Sequence, residues 1–168
     1  MRPVVEALLY LEEAVTTIDW GEGLALRYGG FYGPGTGISL DPDAVMAAPI
    51  RKRRFPIVGG GGGVWSHIHI EDAAAATAIA VERGQPGVYY IVDDEPAPVR
   101  EWLPVLASAL GAKPPRRVPR WLGRLAAGEA ATLMMTEARG ASNAKAKREL
   151  GWQLRYPSWR LGVTKGLG

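Results

Sequence analysis

The chain has 168 residues, of which 47% are hydrophobic and 22% charged, values that indicate one globular domain and exclude a disordered chain. It contains no cysteine, which excludes disulfide bonds, thiolate metal sites and thiol catalysis. The net charge of +3 raises the question of a nucleic-acid partner, but the basic residues are scattered and lack the interleaved aromatics of a single-strand stacking surface.

The first predicted elements are a helix and a strand. Apolar residues recur with helical spacing over residues 4–16, and Pro3 suits a first helical turn. A turn is expected over residues 19–23. Residues 24–28 are predicted to form a short strand. Its apolar run, Leu24 to Leu26, is too continuous for a strand with one solvated face, and this is typical of a parallel sheet that helices cover on both faces.

Residues 29–63 are rich in loop-forming residues, with one predicted helix over residues 42–48. The five consecutive glycines 59–63 are interpreted as a flexible turn. The alternative is a backbone cradle for phosphate, but no Gly-Lys-Ser/Thr follows, so this is not a P-loop.

A second strand is predicted directly after the glycines. The alternation of residues places Trp65, His67 and His69 outward, against Ile68 and Ile70. A lone histidine in an apolar strand is usually a hydrogen-bonded core residue, so His69 is interpreted as structural.

A helix and a third strand complete one α/β unit. Asp72 is predicted as the N-cap of a helix over residues 73–83 that Gly84 closes. Residues 87–96 form another β-rich run. The order of strand, crossover, helix and strand predicts a parallel, right-handed unit.

From residue 99 onward the pattern is helical. Residues 115–119 are interpreted as a rigid spacer, Ser142 as an N-cap and Gly151 as a helix stop. The predicted helices span residues 99–110, 120–127, 129–138 and 143–150.

Partners and location follow from charge and hydropathy. The basic run Arg51–Arg54 is interpreted as a solvated face, with a phosphate-bearing ligand as the alternative and nucleic-acid binding as a third hypothesis. No apolar run approaches the length of a membrane span, and no signal-peptide pattern opens the chain. A cytoplasmic protein without a membrane or nucleic-acid partner is expected.

Three blocks in order carry a family resemblance. Residues 27–34 read Arg-x-x-Gly-x-Tyr-Gly-Pro, residues 69–73 read His-Ile-Glu-Asp-Ala, and a C-terminal block carries Lys145 and residues 150–152, Leu-Gly-Trp. Together they resemble the C-terminal half of the extended short-chain dehydrogenases/reductases of the NAD(P)-dependent sugar-nucleotide epimerase/dehydratase family. Departures from the family pattern are Gly30, where the family has Asn, and Trp65, where it often has Arg.

The resemblance implies an α/β fold that is the C-terminal part of a Rossmann-like parallel sheet, with two or three strands, plus a mostly helical substrate-side lobe. Residues 1–98 would be the remnant of the NAD(P)-binding domain with an inserted substrate loop. Residues 99–168 would be the helical lobe with the C-terminal helix.

The resemblance also implies site residues. Backbone around Tyr28 would meet the nicotinamide carboxamide of NAD or NADP, and the Gly-Pro loop would wall the cofactor. The implied cofactor-binding residues are Tyr28, Gly29, Phe31 and Pro34.

On the substrate side, the resemblance implies Gly30, Tyr32, Trp65 and Arg139. The departures at Gly30 and Trp65 remove polar partners for a diphosphate, so a smaller or more apolar small-molecule substrate fits at least as well as a sugar nucleotide. Arg139 either replaces the missing charge or is a solvated residue at a helix end. His69 and Asp72 are expected to be structural, and no metal site is expected.

The family's glycine-rich turn and its Tyr-x-x-x-Lys pair do not occur in these residues, so no catalytic residue is assigned. Both would lie N-terminal to Met1, and the first helix resembles the stretch that follows the family's catalytic Lys. The main hypothesis is a truncated or split enzyme, inactive alone, with weak or absent cofactor binding, that self-associates or binds a separately encoded N-terminal half. The alternative is a non-catalytic binding or interaction module, which gel filtration would reveal as a monomer.

Overall fold

The structure is a computed structural model that describes residues 2–168. Its helices are α1 (Arg2–Thr16), α2 (Ala47–Arg51), α3 (Ile70–Arg83), α4 (Val99–Ala109), α5 (Arg120–Glu137), α6 (Ala144–Leu150) and α7 (Trp159–Lys165). Its strands are β1 (Leu24–Tyr28), β2 (Gly30–Tyr32), β3 (Ile57–Val58), β4 (Val64–Trp65), β5 (His67–His69), β6 (Gly87–Ile91), β7 (Ala97–Pro98) and β8 (Arg117–Val118).

The parallel pair β1–β6 organises the first half of the fold. Leu24 lies opposite Gly87 and Tyr28 opposite Ile91, with the intervening residues in register. Because side chains alternate along a strand, Arg27 reaches Glu12 of α1, whereas its neighbour Tyr28 contacts Thr77 of α3. Helices therefore cover the strand pair on both faces, and the predicted parallel α/β unit is confirmed.

Helix α1 approaches β1 closely at the turn before the strand. A Cβ at Gly23 would overlap the carbonyl of Val15, so only glycine allows this approach. The rest of the helix presents large apolar side chains to solvent. The exposed apolar side chains of α1 are those of Val4, Val5, Leu8, Leu9, Tyr10 and Leu11.

The chain changes its strand partner at two glycines after β1. The N–H of Gly29 donates to the carbonyl of Ile91 at 3.1 Å, and the N–H of Gly30 donates to the carbonyl of Ser66 at 2.9 Å. A Cβ at Gly29 would lie 2.8 Å from the Ser66 oxygen. This close crossing starts the second parallel pair, β2–β5.

Two clusters of buried side chains form the core. The first packs the strand pair against α3 and α6, and the second surrounds α4, α7 and the short strands. The first cluster contains Ile68, Ala73, Ala76, Ala80, Tyr89, Ile91, Ala146, Leu150 and Trp152, and the second includes Tyr32, Ile50, Ile57, Trp102, Leu103, Leu106, Trp159 and Val163. Both clusters contain residues from before and after position 98. The division into two domains at this position stays a prediction.

Two predicted segments differ from the structure. The helix predicted over residues 42–48 is wrong in position, since α2 spans Ala47–Arg51. The Arg51 guanidinium donates to the carbonyls of Leu40 and Asp41, at 2.9 and 2.7 Å, which stabilises a non-helical path before α2. The predicted spacer 115–119 contains β8, which pairs in parallel with β3.

The prediction that His67 and His69 face outward is wrong, since both are buried. Helix α3 begins at Ile70, and His69 is its N-cap, because its Nδ1 accepts the N–H of Glu71 at 3.2 Å. Asp72 is therefore not the N-cap. Its buried carboxylate accepts two backbone N–H groups from residues 155 and 156 instead, at 2.7 and 2.8 Å.

The C-terminal helices follow the prediction with small shifts. Helix α5 is interrupted at Gly128, whose φ of 83° is non-helical, as expected for two helices that meet there. Asn143, not Ser142, occupies the N-cap position of α6, although the Ser142 hydroxyl accepts the N–H of Ala144 at 3.3 Å. Gly151 ends α6 in the left-handed conformation. Helix α7 was not predicted.

Candidate functional site

A cavity of about 440 Å³ opens where β1 ends. It brings together five of the eight site residues that the sequence predicted, namely Tyr28, Gly29, Gly30, Trp65 and Arg139. Its volume lies within the range of small-molecule sites. The remaining lining residues are Arg27, Val64, Ser66, Tyr90, Val92, Met134, Ala138 and Ala141.

Tyr28 ends β1 at the rim of the cavity. Its hydroxyl lies 2.6 Å from the Thr77 hydroxyl on α3. Its ring centroid is 5.3 Å from that of Phe31, with the rings tilted by 44°. These two contacts fix the orientation of the Tyr28 ring beside the Gly29–Gly30 crossing.

Trp65 also lines the cavity. Its indole N–H donates to the carbonyl of Met134 on α5 at 2.8 Å. Its ring centroid lies 5.0 Å from that of the buried Trp102, and Trp102 in turn contacts His67 edge to face at 5.0 Å. The indole is therefore held by both the helical part and the buried core.

Arg27 lies in the lining but its charge is already paired. Its Nε donates to Glu12 Oε1 at 2.6 Å, and further guanidinium N–H groups bond to the other Glu12 oxygen and to the Tyr90 hydroxyl. The hydrogen bond from Arg27 lowers the pKa of Glu12, and the bond to Glu12 raises the pKa of Arg27. This ion pair joins α1 to β1 and neutralises the Arg27 side of the cavity.

Arg139 follows α5 and is exposed at the cavity. Within the residues that the structure describes, its guanidinium makes no hydrogen bond or salt bridge. A guanidinium at the mouth of an apolar cavity is suited to bind a carboxylate or phosphate through two parallel N–H···O bonds.

The other three predicted site residues do not line this cavity. Phe31 is exposed and its ring packs against that of Tyr28, and Pro34 lies exposed in the following loop. Tyr32 is buried, and its hydroxyl has no hydrogen-bond partner among the residues that the structure describes. Burial raises the pKa of Tyr32.

Two titratable residues are buried behind the wall of the cavity. Burial lowers the pKa of His67 to about 4 and raises the pKa of Asp93 to about 7. The N–H of Asp93 donates to the carbonyl of His67 at 2.7 Å, so the two residues are adjacent. His67 is therefore neutral at pH 7, and Asp93 is partly protonated there.

Sequence reasoning missed several lining residues. Arg27 and Tyr90 lie opposite each other on the same face of the β1–β6 pair. Once this pairing is known, the alternation of side chains along each strand places both of them beside the cavity. Met134 carries no such signal, since its position depends on how α5 packs against β4.

The glycine run and the basic run are used within the fold. The backbone N–H groups of Gly59, Gly61 and Gly63 donate to protein carbonyls. These three N–H groups are therefore not available to bind a phosphate. Besides Arg51, Arg53 also bonds to a backbone carbonyl, that of Pro114 at 3.0 Å. These contacts support structural roles for both segments.

Residues 2–168 contain neither a cluster suited to a metal ion nor a membrane-spanning helix. Among these residues no cluster of three or more His, Asp or Glu side chains is arranged to hold a metal ion. In the same range, every helix is too short or too polar to cross a membrane.

No protein-family profile matches the chain. A curated relative from Streptomyces sp., 3-diazoavenalumate denitrifying reductase, is 43% identical over 161 residues, which are 96% of this chain and 52% of the relative. The chain thus spans about half the length of the relative it matches.

The chain also matches about half the length of each of two solved structures. The human epimerase family protein SDR39U1 (isoform 2), determined with NADPH, has a TM-score of 0.71 and 21% identity, over 89% of this chain and 50% of that one. DesIV, a dTDP-glucose 4,6-dehydratase from Streptomyces venezuelae determined with NAD, has a TM-score of 0.67 and 20% identity, over 94% of this chain and 46% of that one. These neighbours confirm the predicted fold class.

Proposed function

Because the chain has the fold of one half of the extended short-chain dehydrogenases/reductases of the NAD(P)-dependent epimerase/dehydratase family, we propose that it is the substrate-side half of a nicotinamide-dependent reductase. The coverage of about half of each neighbour is consistent with the C-terminal half of such an enzyme. Fold alone does not assign chemistry, so the proposal depends on the site.

One observation carries the proposal. The cavity at the end of β1 gathers Tyr28, Gly29, Gly30, Trp65 and Arg139 in one lining. In the proposal, NAD or NADP lies along the Tyr28 side, near the carboxyl end of a parallel strand, where open α/β sheets bind their ligands. The substrate then lies between the cofactor and Trp65.

The substrate class in this proposal comes from the curated relative. That protein is described as a reductase that acts on 3-diazoavenalumate, and it is 43% identical to this chain. We therefore propose reduction of a diazo compound or a similar small molecule, and not of a sugar nucleotide. The loss of polar side chains at Gly30 and Trp65 supports this choice.

The proposal also includes a second polypeptide segment. Neither a glycine-rich pyrophosphate turn nor a Tyr-x-x-x-Lys pair occurs in these 168 residues, and both are needed to hold the dinucleotide and move a proton. Within the described residues β1 pairs only with β6, and the apolar side chains of α1 lie exposed beside it. These surfaces support packing of a segment that supplies both features.

Complementation tests the proposal. The chain is mixed with a polypeptide made from the part of the curated relative that it does not match, and oxidation of NADH or NADPH is followed with 3-diazoavenalumate as substrate. We expect turnover only from the mixture. Trp65→Ala should lower the rate, whereas the exposed Trp121→Ala, on the surface of α5, should leave it unchanged. Absence of turnover from a mixture that forms a stable complex would contradict the proposal.

A non-catalytic binding or interaction module is the second candidate, favoured by the absence of a glycine-rich turn and a Tyr-x-x-x-Lys pair from these 168 residues. In that case the chain alone should be a stable monomer that binds neither dinucleotide nor the complementary segment. Gel filtration of the chain alone and of the mixture separates the two candidates.

A further inference from the structure

Of the two arginines in the described lining of the candidate cavity, only Arg139 is free to bind a ligand. Arg27 is bonded to both carboxylate oxygens of Glu12 and to Tyr90. Arg139, the other charged residue of the lining, has no partner among the described residues and lies exposed at the opening. A ligand in this cavity therefore meets one unpaired positive charge.

Most other polar side chains of the lining are also engaged. The Tyr28 hydroxyl bonds to Thr77, the Trp65 indole N–H donates to Met134, and the Ser66 hydroxyl accepts the N–H of Ala141 at 2.9 Å. What remains toward the cavity is mainly apolar or aromatic surface. The apolar lining residues are Val64, Val92, Met134, Ala138 and Ala141.

We infer that the ligand of this cavity is an aromatic molecule with a single carboxylate, which Arg139 binds. The inference rests on the proposed function, because it names the substrate class of the same cavity. An aromatic body gains from contact with the Trp65 and Tyr28 rings and leaves no polar group without a partner. A carboxylate matches the planar fork of one guanidinium.

A nucleoside diphosphate fits this lining less well. Its two phosphates carry at least two negative charges and several acceptor oxygens, each of which loses water on binding. One free guanidinium satisfies one phosphate, and the nearby backbone N–H groups of Gly29 and Gly30 already donate to Ile91 and Ser66. The charge and donor count of the cavity therefore favours a monoanion.

Calorimetric titration of the full 168-residue chain tests this inference without any dinucleotide. The probes are trans-cinnamate, the neutral cinnamamide of the same shape, and UDP-glucose. We expect trans-cinnamate to bind at least about tenfold more tightly than cinnamamide, the effect of one charge-assisted hydrogen-bonded pair. UDP-glucose should bind more weakly than trans-cinnamate.

Variants assign the effect to Arg139. Arg139→Gln should remove the preference for trans-cinnamate, whereas Arg139→Lys should retain part of it. Arg83→Gln, an exposed arginine at the end of α3 outside the cavity, should behave as the wild type. Since no cofactor is present, these titrations succeed or fail independently of the complementation assay.

Several results would overturn the inference. They are equal affinities for trans-cinnamate and cinnamamide, an unchanged trans-cinnamate affinity in Arg139→Gln, tighter binding of UDP-glucose, or no binding of trans-cinnamate at about 1 mM.

Discussion

The ring of Tyr32 lies directly against Gly162, so closely that a Cβ at position 162 would overlap the ring and its hydroxyl. Tyr32 belongs to β2 and Gly162 to α7, and this contact holds the C-terminal helix against the strand that follows the candidate cavity. The packing explains why Tyr32 is buried although the family resemblance implied a substrate contact.

Gly162→Ala should destabilise the fold, because overpacking of a well-packed core typically costs about 1–3 kcal/mol. Urea denaturation measures the free energy of unfolding. Gly60→Ala is the matched control, since a Cβ at Gly60 meets no atom within 4 Å, and it should change stability by less than about 0.5 kcal/mol. Equal stabilities of the two variants would contradict the contact.

Asp72→Asn should loosen the C-terminal segment. The Asp72 carboxylate accepts the backbone N–H groups of Arg155 and Tyr156, and an amide offers one acceptor oxygen where the carboxylate offers two. We expect a loss of about 1–3 kcal/mol in the free energy of unfolding and faster amide hydrogen exchange at residues 155 and 156. Asp43→Asn, in an exposed turn, is the control. Unchanged exchange at residues 155 and 156 would refute the anchoring role.

Asp93 should make stability depend on pH. Its pKa is about 7 in the folded protein, against an ordinary value of 3.8, and burial is the main cause. Between these values the unfolded chain loses the Asp93 proton first, so the contribution of this residue to stability is complete below 3.8 and is lost as the pH rises through 7.

Comparison with Asp93→Asn isolates this effect, because the carboxylates with lowered pKa, such as Glu12 and Glu149, titrate in both proteins. The stability of the wild type relative to the variant should fall between about pH 4 and about pH 8, by an amount on the order of 4 kcal/mol. Denaturation curves at both pH values give the difference. A difference that does not change with pH would contradict the buried position of the carboxyl.

The apolar face of α1 should cause self-association of the isolated chain. Leu8 and Leu11 are 55% and 57% exposed, and neighbouring apolar side chains enlarge the patch. The double variant Leu8→Lys, Leu11→Lys should elute as a monomer in gel filtration, whereas the wild type should elute earlier with rising concentration. Val81→Lys, which replaces an isolated exposed apolar residue on α3, should elute as the wild type. A wild-type chain that is monomeric at all concentrations would argue against this surface as an interface.

The elements that the sequence predicted best are those whose signal is local. The apolar run 24–28 and the glycine that interrupts α5 correspond to β1 and to the break at Gly128. The errors fall where a distant contact decides. His67 and His69 are buried because α4 and α7 cover β5, and no alternation pattern contains that information.

The candidate site shows the same division. Tyr28 and Trp65 were found through motif positions, whereas Met134 reaches the cavity only because the second part of α5 packs beside β4. Sequence reasoning also could not show that Arg139 is the unpaired charge of the described lining, since this depends on Arg27 of β1 being paired with Glu12 of α1.

Titration of NADH and NADPH into the chain alone, followed by nicotinamide fluorescence, tests the central claim most directly. The claim is that this chain, as the proposed substrate-side half, lines the cofactor but does not hold its pyrophosphate, so the account predicts no micromolar binding until the complementary segment is added. Micromolar affinity of the chain alone for either dinucleotide would contradict it.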